Sequence, residues 1–252
     1  MLKNQIVAVT GGAGRIGSAL CESIIENRGK VIIGDISKEQ GIALERNLQS
    51  DDAFFVEVNT TNTESIKNLI KHGANHFGKI DAAVHCAYPM SKKWGAGFEK
   101  VKAEDLSKDL FSQLGGAILF SQQMISYFRE QGSGNLIHIS SILGIAAPKF
   151  EHYSGTNMTC PIEYSAIKSG IIAVTKYLSK YCKNENIRVN AISPGGILDN
   201  QPADFLRSYA ESCNSKGMLN SEDIIGALIF LLSDQSKFIN GQNIIVDDGW
   251  SL

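Results

Sequence analysis

Seven short apolar runs, QIVAVT, KVIIGD, AFFVEV, IDAAVHCA, NLIHIS, IRVNAIS and NIIVDD, recur along the chain with longer helix-compatible segments between them. Runs that are apolar on both faces suit strands buried on both sides, and the alternation of strand with helix supplies the covering layers. The expectation is an α/β, doubly wound fold: a seven-stranded, mainly parallel sheet with helices on both faces. A chain of 252 residues, 43% hydrophobic and 20% charged, can bury one sizeable core, and no repeat, linker or low-complexity tract divides it. A single domain over residues 1–252 is expected, with irregular loops over about 88–102, 146–161 and 195–218. In open α/β sheets, loops that follow the strands' carboxyl ends line the ligand crevice.

The formal net charge is −2 and the Lys and Arg residues are scattered rather than striped, which argues against nucleic acid or anionic membrane as partner. A small molecule fits better. Cys21, Cys86, Cys160, Cys182 and Cys213 are widely spaced without a CxxC pair, so neither a zinc site nor a redox centre is expected. The N-terminal MLKNQIVAVTGG is too short an apolar run for a signal peptide, and nothing approaches eighteen consecutive apolar residues. These features imply a reduced, cytoplasmic protein with no metal.

Gly11, Gly14 and Gly17 lie between the first strand and the helix-like IGSALCESIIENRG. Glycines there let the chain turn tightly and bring backbone amides, at a helix N-terminus, close to a pyrophosphate. Such a turn also occurs where strand and helix merely pack closely. Asp35 ends the second strand, where a carboxylate accepts hydrogen bonds from adenosine ribose hydroxyls and repels a 2′-phosphate, favouring NAD over NADP. Its bland alternative is a helix N-cap, since ISKEQ follows. Arg15 introduces an ambiguity: turned toward the adenosine end it neutralises a 2′-phosphate and admits NADP, and turned outward it leaves Asp35 to select NAD.

In PIEYSAIKSGIIAVTKYLSKYC, Tyr164 and Lys168 are four residues apart and share one helix face. An ammonium about 5 Å from a phenol, at an effective dielectric near 20, is worth roughly 3 kcal/mol and lowers the phenol pKa by about two units. Ser141, at the end of NLIHIS, is placed to stabilise charge on a carbonyl oxygen, with Ser140 as the neighbouring alternative. Singly, such residues are more often core edge, solvated surface and turn cap.

Taken together, TGGAGRIG, ISS, YSAIK and NAISPGG, in that order over essentially the whole chain, closely resemble the short-chain dehydrogenase/reductase family. The resemblance implies a single-domain Rossmann-type fold, NAD(P)-dependent hydride transfer between nicotinamide and a hydroxyl or keto group, and a homodimer or homotetramer. It implies that Tyr164 is the general acid/base, that Lys168 binds the nicotinamide ribose and lowers the Tyr164 pKa, and that Ser141 orients substrate. It implies a cofactor site made by Gly11, Gly14, Arg15, Ile16 and Gly17, by Asp35 and Ile36, by Asn59 and Thr60 at the adenine, by Ala87, by Tyr164 and Lys168, and by Pro194, Gly195 and Ile197.

The chain departs from the family pattern at several points. The usual NNAG reads HCAY, from His85 to Tyr88, and the usual helical Asn of the proton relay reads Gln113, an amide on a longer arm that also suits a plain helix bend. His85 fits a structural role better than a catalytic one. Ser141 and Tyr164 are 23 residues apart, about ten more than is usual in the family, because AAPKFEHYSGTNMTCP intervenes. That insert offers Lys149, Glu151, His152, Tyr153, Ser154, Thr156 and Asn157, a set suited to a polyhydroxylated molecule rather than a steroid or fatty acyl chain. Lys92 and Lys93 fit a phosphate less well than a solvated surface. Within the family, AYPMSKKWG, LGGAILFSQQ, APKFE and PGGILDNQP resemble a subgroup tied to flagellin modification and nonulosonate sugar synthesis, which points to an amino-sugar or sugar-phosphate substrate. The competing readings are a cofactor-binding regulatory or assembly subunit that has lost catalysis, and an epimerase or dehydratase of the same fold.

Overall fold

The computed structural model describes residues 1–252. All seven apolar runs form strands: β1 (Ile6–Thr10), β2 (Lys30–Asp35), β3 (Ala53–Glu57), β4 (Ala82–His85), β5 (Gly134–Ile139), β6 (Ile187–Pro194) and β7 (Asn243–Val246). They make one sheet in the order β3-β2-β1-β4-β5-β6-β7, and every pairing is parallel, so the sheet is wholly rather than mainly parallel. The helices are α1 (Arg15–Glu26), α2 (Lys38–Leu48), α3 (Thr63–Phe77), α4 (Ala103–Leu110), α5 (Gly116–Gln131), α6 (Ile162–Tyr181), α7 (Ala203–Ala210) and α8 (Glu222–Leu232). None is long and apolar enough to cross a membrane.

Alternation along each strand feeds two cores. In β1, Val7 and Val9 pack with Leu20 of α1 and Leu228 of α8, while Ile6 and Ala8 pack with Leu69 of α3 and Phe120 of α5. Each large aliphatic or aromatic side chain so buried stabilises the fold by about 1.5–3 kcal/mol. Ser37 caps α2, its hydroxyl accepting from the Gln40 amide at 3.4 Å, and Asn62 caps α3 by accepting from the Ser65 amide at 3.0 Å. Because Ser37 is the α2 cap, Asp35 is released from that duty.

The three loops are less uniform than the sequence suggests. Residues 88–102 and 146–161 contain only the 3₁₀ turns Phe98–Lys100 and Phe150–Tyr153, whereas 195–218 carries α7. Only Phe205 and Tyr209 are buried in α7, too short a stripe to announce a helix in the sequence. An isolated parallel bridge between Ile197 and Leu219 closes this loop at its neck, with the Leu198 amide donating to Leu219 O at 2.9 Å and the Leu219 amide to Gly196 O at 2.8 Å.

His85 and His138 are register partners on β4 and β5, and both are buried. His85 Nδ1 bonds Thr10 Oγ1 at 2.8 Å, and His138 bridges Ser121 Oγ and Thr175 Oγ1, each at 2.8 Å. Burial pushes their pKa values down from 6.5 to about 3 and about 4 respectively, with His138 and Lys168 adding to the shift at His85. The unfolded chain takes up these protons near 6.5 while the fold refuses them. Their contribution is therefore complete above that pH and lost progressively below it. The midpoint of thermal unfolding should fall from about pH 7 to about pH 4, and His85→Asn and His138→Gln should each make that fall shallower; an unchanged slope in both would contradict the assignment.

Candidate active site

Strand order reverses between β1 and β4, so the loops leaving their carboxyl ends part and open a crevice. Gly11, at φ 66°, lies so close to the β4 exit that a Cβ there would meet Ala87 Cα and N at 2.7 Å; a Cβ on Gly17 would meet Gly11 O at 2.0 Å. The turn delivers the chain to Gly14 and then α1, whose first turn has neither a capping side chain nor an acidic residue. Bare amides and the positive end of the helix dipole remain, which fits a pyrophosphate. Asp35 clamps this loop to β2: one carboxylate oxygen accepts from the Ala13 amide at 3.0 Å and the other from the Ser37 amide at 2.9 Å. Arg15 turns to the loop after β6, donating to Leu198 O at 2.8 Å and pairing with Asp199.

At the other end of the crevice, the first two turns of α6 carry Tyr164 and Lys168. Lys168 is buried, its Nζ donating to Ile139 O at 3.0 Å, and Ser140 Oγ donates to Lys168 O at 2.8 Å. Ser140 thus secures α6 to the end of β5, leaving Ser141 to face Tyr164. Burial pushes the Lys168 pKa down from 10.5 to about 8. Burial also pushes the Tyr164 phenol up, with the Ser141 hydroxyl opposing the rise. The lowering expected from Lys168 is therefore not borne out: the phenol is shifted up, not down. Its Nζ lies 5.6 Å from the Tyr164 ring centre and is engaged by a backbone carbonyl, and desolvation of the phenol outweighs its charge.

One cavity of about 720 Å³ gathers Gly11, Gly14, Arg15, Ile16, Gly17, Asp35, Ile36, Asn59, Thr60, Ala87, Ser141, Tyr164, Lys168, Pro194, Gly195 and Ile197. Asn59 Oδ1 is held by Thr61, accepting from its amide at 3.0 Å and its hydroxyl at 2.7 Å. Gln113 stands behind the wall. It sits in a π-helical turn, Phe111–Gly115, that joins α4 to α5, and its Nε2 donates to Pro89 O at 3.0 Å while Oε1 is buried without a partner. Lys92 and Lys93 are exposed and outside the cavity. No group of three His, Cys, Asp or Glu side chains is arranged to hold a metal ion.

The insert is less polar toward the cavity than its composition suggests. Of its seven candidate polar residues only His152 and Tyr153 line the wall. Lys149 Nζ donates to Trp250 O at 3.0 Å and lies 4.7 Å from the indole centre, and Thr156 Oγ1 donates to Tyr153 O at 2.8 Å. His152 packs among Phe205, Tyr209 and Trp250 and bonds Ser208 Oγ at 2.9 Å; burial pushes its pKa down. What the sequence reading missed is the aromatic share of the cavity lining, Tyr88, Trp94, Tyr209 and Trp250 among others. The signal was the aromatic content of loops whose polar residues drew attention instead.

Comparison with known proteins agrees with this geometry. The sequence profile described as Enoyl-(Acyl carrier protein) reductase matches residues 11–251. The chain is 44% identical to post-translational flagellin modification protein A of Campylobacter coli, over all of both chains. It is 29% identical to a 7alpha-hydroxysteroid dehydrogenase of Bacteroides fragilis, covering 99% of this chain and 95% of the relative. Among solved structures, a short chain dehydrogenase of Leptospira borgpetersenii with bound NAD+ superposes with a TM-score of 0.89 at 30% identity, covering 100% of this chain and 94% of that one.

The glycine cradle yields a direct test. Gly17→Ala forces a methyl group into Gly11 O, and overpacking of this kind costs about 1–3 kcal/mol. The variant should unfold at lower temperature and lose most NADH affinity by fluorescence titration; normal affinity would show that the cradle does not hold the cofactor.

Proposed function

The chain belongs to the short-chain dehydrogenase/reductase family, and from that premise we propose that it oxidises a ring hydroxyl, or reduces the matching ketone, of a sugar-like molecule used in surface-glycan or flagellin-glycan synthesis. The observation that carries the reading is the convergence of Ser141, Tyr164 and Lys168 on the cavity that also holds the glycine cradle and Asp35. The sugar-like substrate is supported by the full-length similarity to a flagellin modification protein.

When bound, the nicotinamide gives or takes the hydride. The glycine loop and the start of α1 would hold the pyrophosphate, Asp35 the adenosine ribose, and Lys168 the nicotinamide ribose. Tyr164 Oη passes a proton to the keto oxygen during reduction and takes one from the hydroxyl during oxidation, while Ser141 stabilises charge at that oxygen. Lys168, whose Nζ lies 5.6 Å from the Tyr164 ring centre, would in its protonated form steady the phenolate. Gln113 acts behind them, securing the loop that begins at Tyr88.

We assign NAD as the preferred cofactor, because Arg15 is committed to Asp199 and leaves the Asp35 carboxylate to repel a 2′-phosphate. A homodimer through the α5 and α6 faces suits the exposed Ile118, Tyr177 and Tyr181. A cytoplasmic location suits five free cysteines.

Tyr164→Phe should lower kcat by about 10²–10⁴-fold while NADH affinity is retained; full turnover in that variant would remove Tyr164 from the chemistry. Asp35→Ser should shift the ratio of kcat/KM for NADP over NAD upward by about tenfold or more, the scale of one charge-assisted hydrogen bond. An unchanged ratio would dismiss the carboxylate as the selector.

A further inference from the structure

Lys168 is the one buried lysine or arginine of the chain, and it carries its charge without an anion. None of the chain's seven ion pairs includes it, and its Nζ makes one hydrogen bond, to Ile139 O at 3.0 Å. The titratable groups around it are His85 at the end of β4, Cys86 and Tyr88 just beyond, and Tyr164 on its own helix. Burial pushes the Cys86 thiol up to about 12 and the His85 imidazole down to about 3, so neither bears charge near neutrality. A buried ammonium without an anion sheds its proton readily, and burial has brought Lys168 down to about 8.

What faces the ammonium instead is aromatic. Its Nζ lies 5.3 Å over the centre of the Tyr88 ring and 5.6 Å from that of Tyr164, distances at which the negative face of a ring attracts a cation. Tyr164 changes its own charge during the proposed reaction. Tyr88 does not: burial pushes its phenol far up, with Tyr164, Cys160 and Asp109 adding to the rise, and the ring stays neutral. The Asp109 carboxylate is itself engaged by Ser91, accepting from the amide at 3.1 Å and the hydroxyl at 2.9 Å. The ring is also held in place. Gln113 Nε2 donates to the carbonyl of the next residue, Pro89, at 3.0 Å, and Trp94 stands edge-on to Tyr88 at 5.6 Å. Tyr88 is in turn edge-on to Tyr164 at 5.7 Å, so ring, ammonium and reacting phenol form one compact group. The glycine of the usual NNAG pattern has no ring to offer at this point.

Building on the dehydrogenase reading above, we propose that Tyr88 is a positioning residue: the face of its ring holds the Lys168 ammonium charged and in place beside Tyr164, as a counter-ion does at other buried cations. The consequence falls on the Tyr164 proton, because a charged Lys168 favours the phenolate and a neutral one does not. With its midpoint at about 8, Lys168 is about nine-tenths charged at pH 7, and a fall of about one unit would leave it about half charged.

The full chain labelled with [ε-13C]lysine reports this by NMR, the Lys168 signal being the one absent from Lys168→Met. Its titration midpoint is followed from about pH 6 to about pH 10 without substrate. Tyr88→Phe keeps the ring face and should leave the midpoint within about 0.3 unit. Tyr88→Leu removes the face, and pentafluorophenylalanine incorporated in place of Tyr88 keeps the ring's shape while reversing the charge of its face. Both should lower the midpoint by about half a unit or more, about threefold in proton affinity. The fluorinated ring decides the matter if Tyr88→Leu fails to fold. A midpoint unchanged or raised by the fluorinated ring, a fall in Tyr88→Phe as large as in Tyr88→Leu, or no titration of Lys168 in this range would overturn the role of Tyr88. Because the midpoint is read without turnover, the expected shifts in a chain whose Tyr164→Phe variant keeps full turnover would overturn the dehydrogenase reading alone and leave the ring–ammonium contact standing.

Discussion

A parallel sheet sends every strand's carboxyl end to the same edge, and the reversal of order between β1 and β4 decides where that edge opens. The structure depends on how closely the two parting chains approach at that point. Gly11 and Ala87 touch backbone to backbone, and Gly17 lies against Gly11 O, contacts that no side chain permits. Without them α1 would sit further from the sheet and its free amides would miss the crevice. Beneath the opening, Thr10 and His85 tie the last residues of β1 and β4 with a buried hydrogen bond, so the lips of the crevice are set by the strands themselves.

Two polar groups on the cavity wall are held there against the cost of burial. Tyr164 and Lys168 lie on one face of α6, and desolvation moves the phenol up and the ammonium down, so burial favours the neutral form of each. That tendency is tolerated because the surroundings over-determine the helix: Ser140 holds the Lys168 carbonyl, and Lys168 holds Ile139 O.

The fold was largely legible in the sequence, because strands apolar on both faces leave a simple signature and their order of appearance with helices allows few topologies. TGGAGRIG and YSAIK were legible for a related reason: tight turns and i, i+4 pairs are local geometry. What was not legible was decided by long-range partners. Arg15 has two chemically sensible orientations, and only Asp199, 184 residues away, favours one of them. Lys149 and Thr156 looked free in the insert because their acceptors, Trp250 O and Tyr153 O, are backbone atoms with no signature in the side-chain sequence. The aromatic residues of the cavity lining, from Tyr88 and Trp94 to Tyr209 and Trp250, likewise come from segments that share no sequence neighbourhood.

The neck formed by Ile197 and Leu219 sets a boundary between parts that must be conserved in shape and parts that need not be. Below it, β6 and the residues through Gly196 belong to the scaffold; above it, the chain from Leu198 to Met218 leaves and returns at nearly one point. A segment anchored in this way is exchangeable, since doubling the length of a closed flexible loop costs only about 0.6 kcal/mol in closure entropy. Two aromatic residues of the cavity lining, Phe205 and Tyr209, ride on that segment. The molecule is therefore built like a fixed press with a removable die, in which the shape that meets the substrate can be replaced while the hydride-handling frame stays the same.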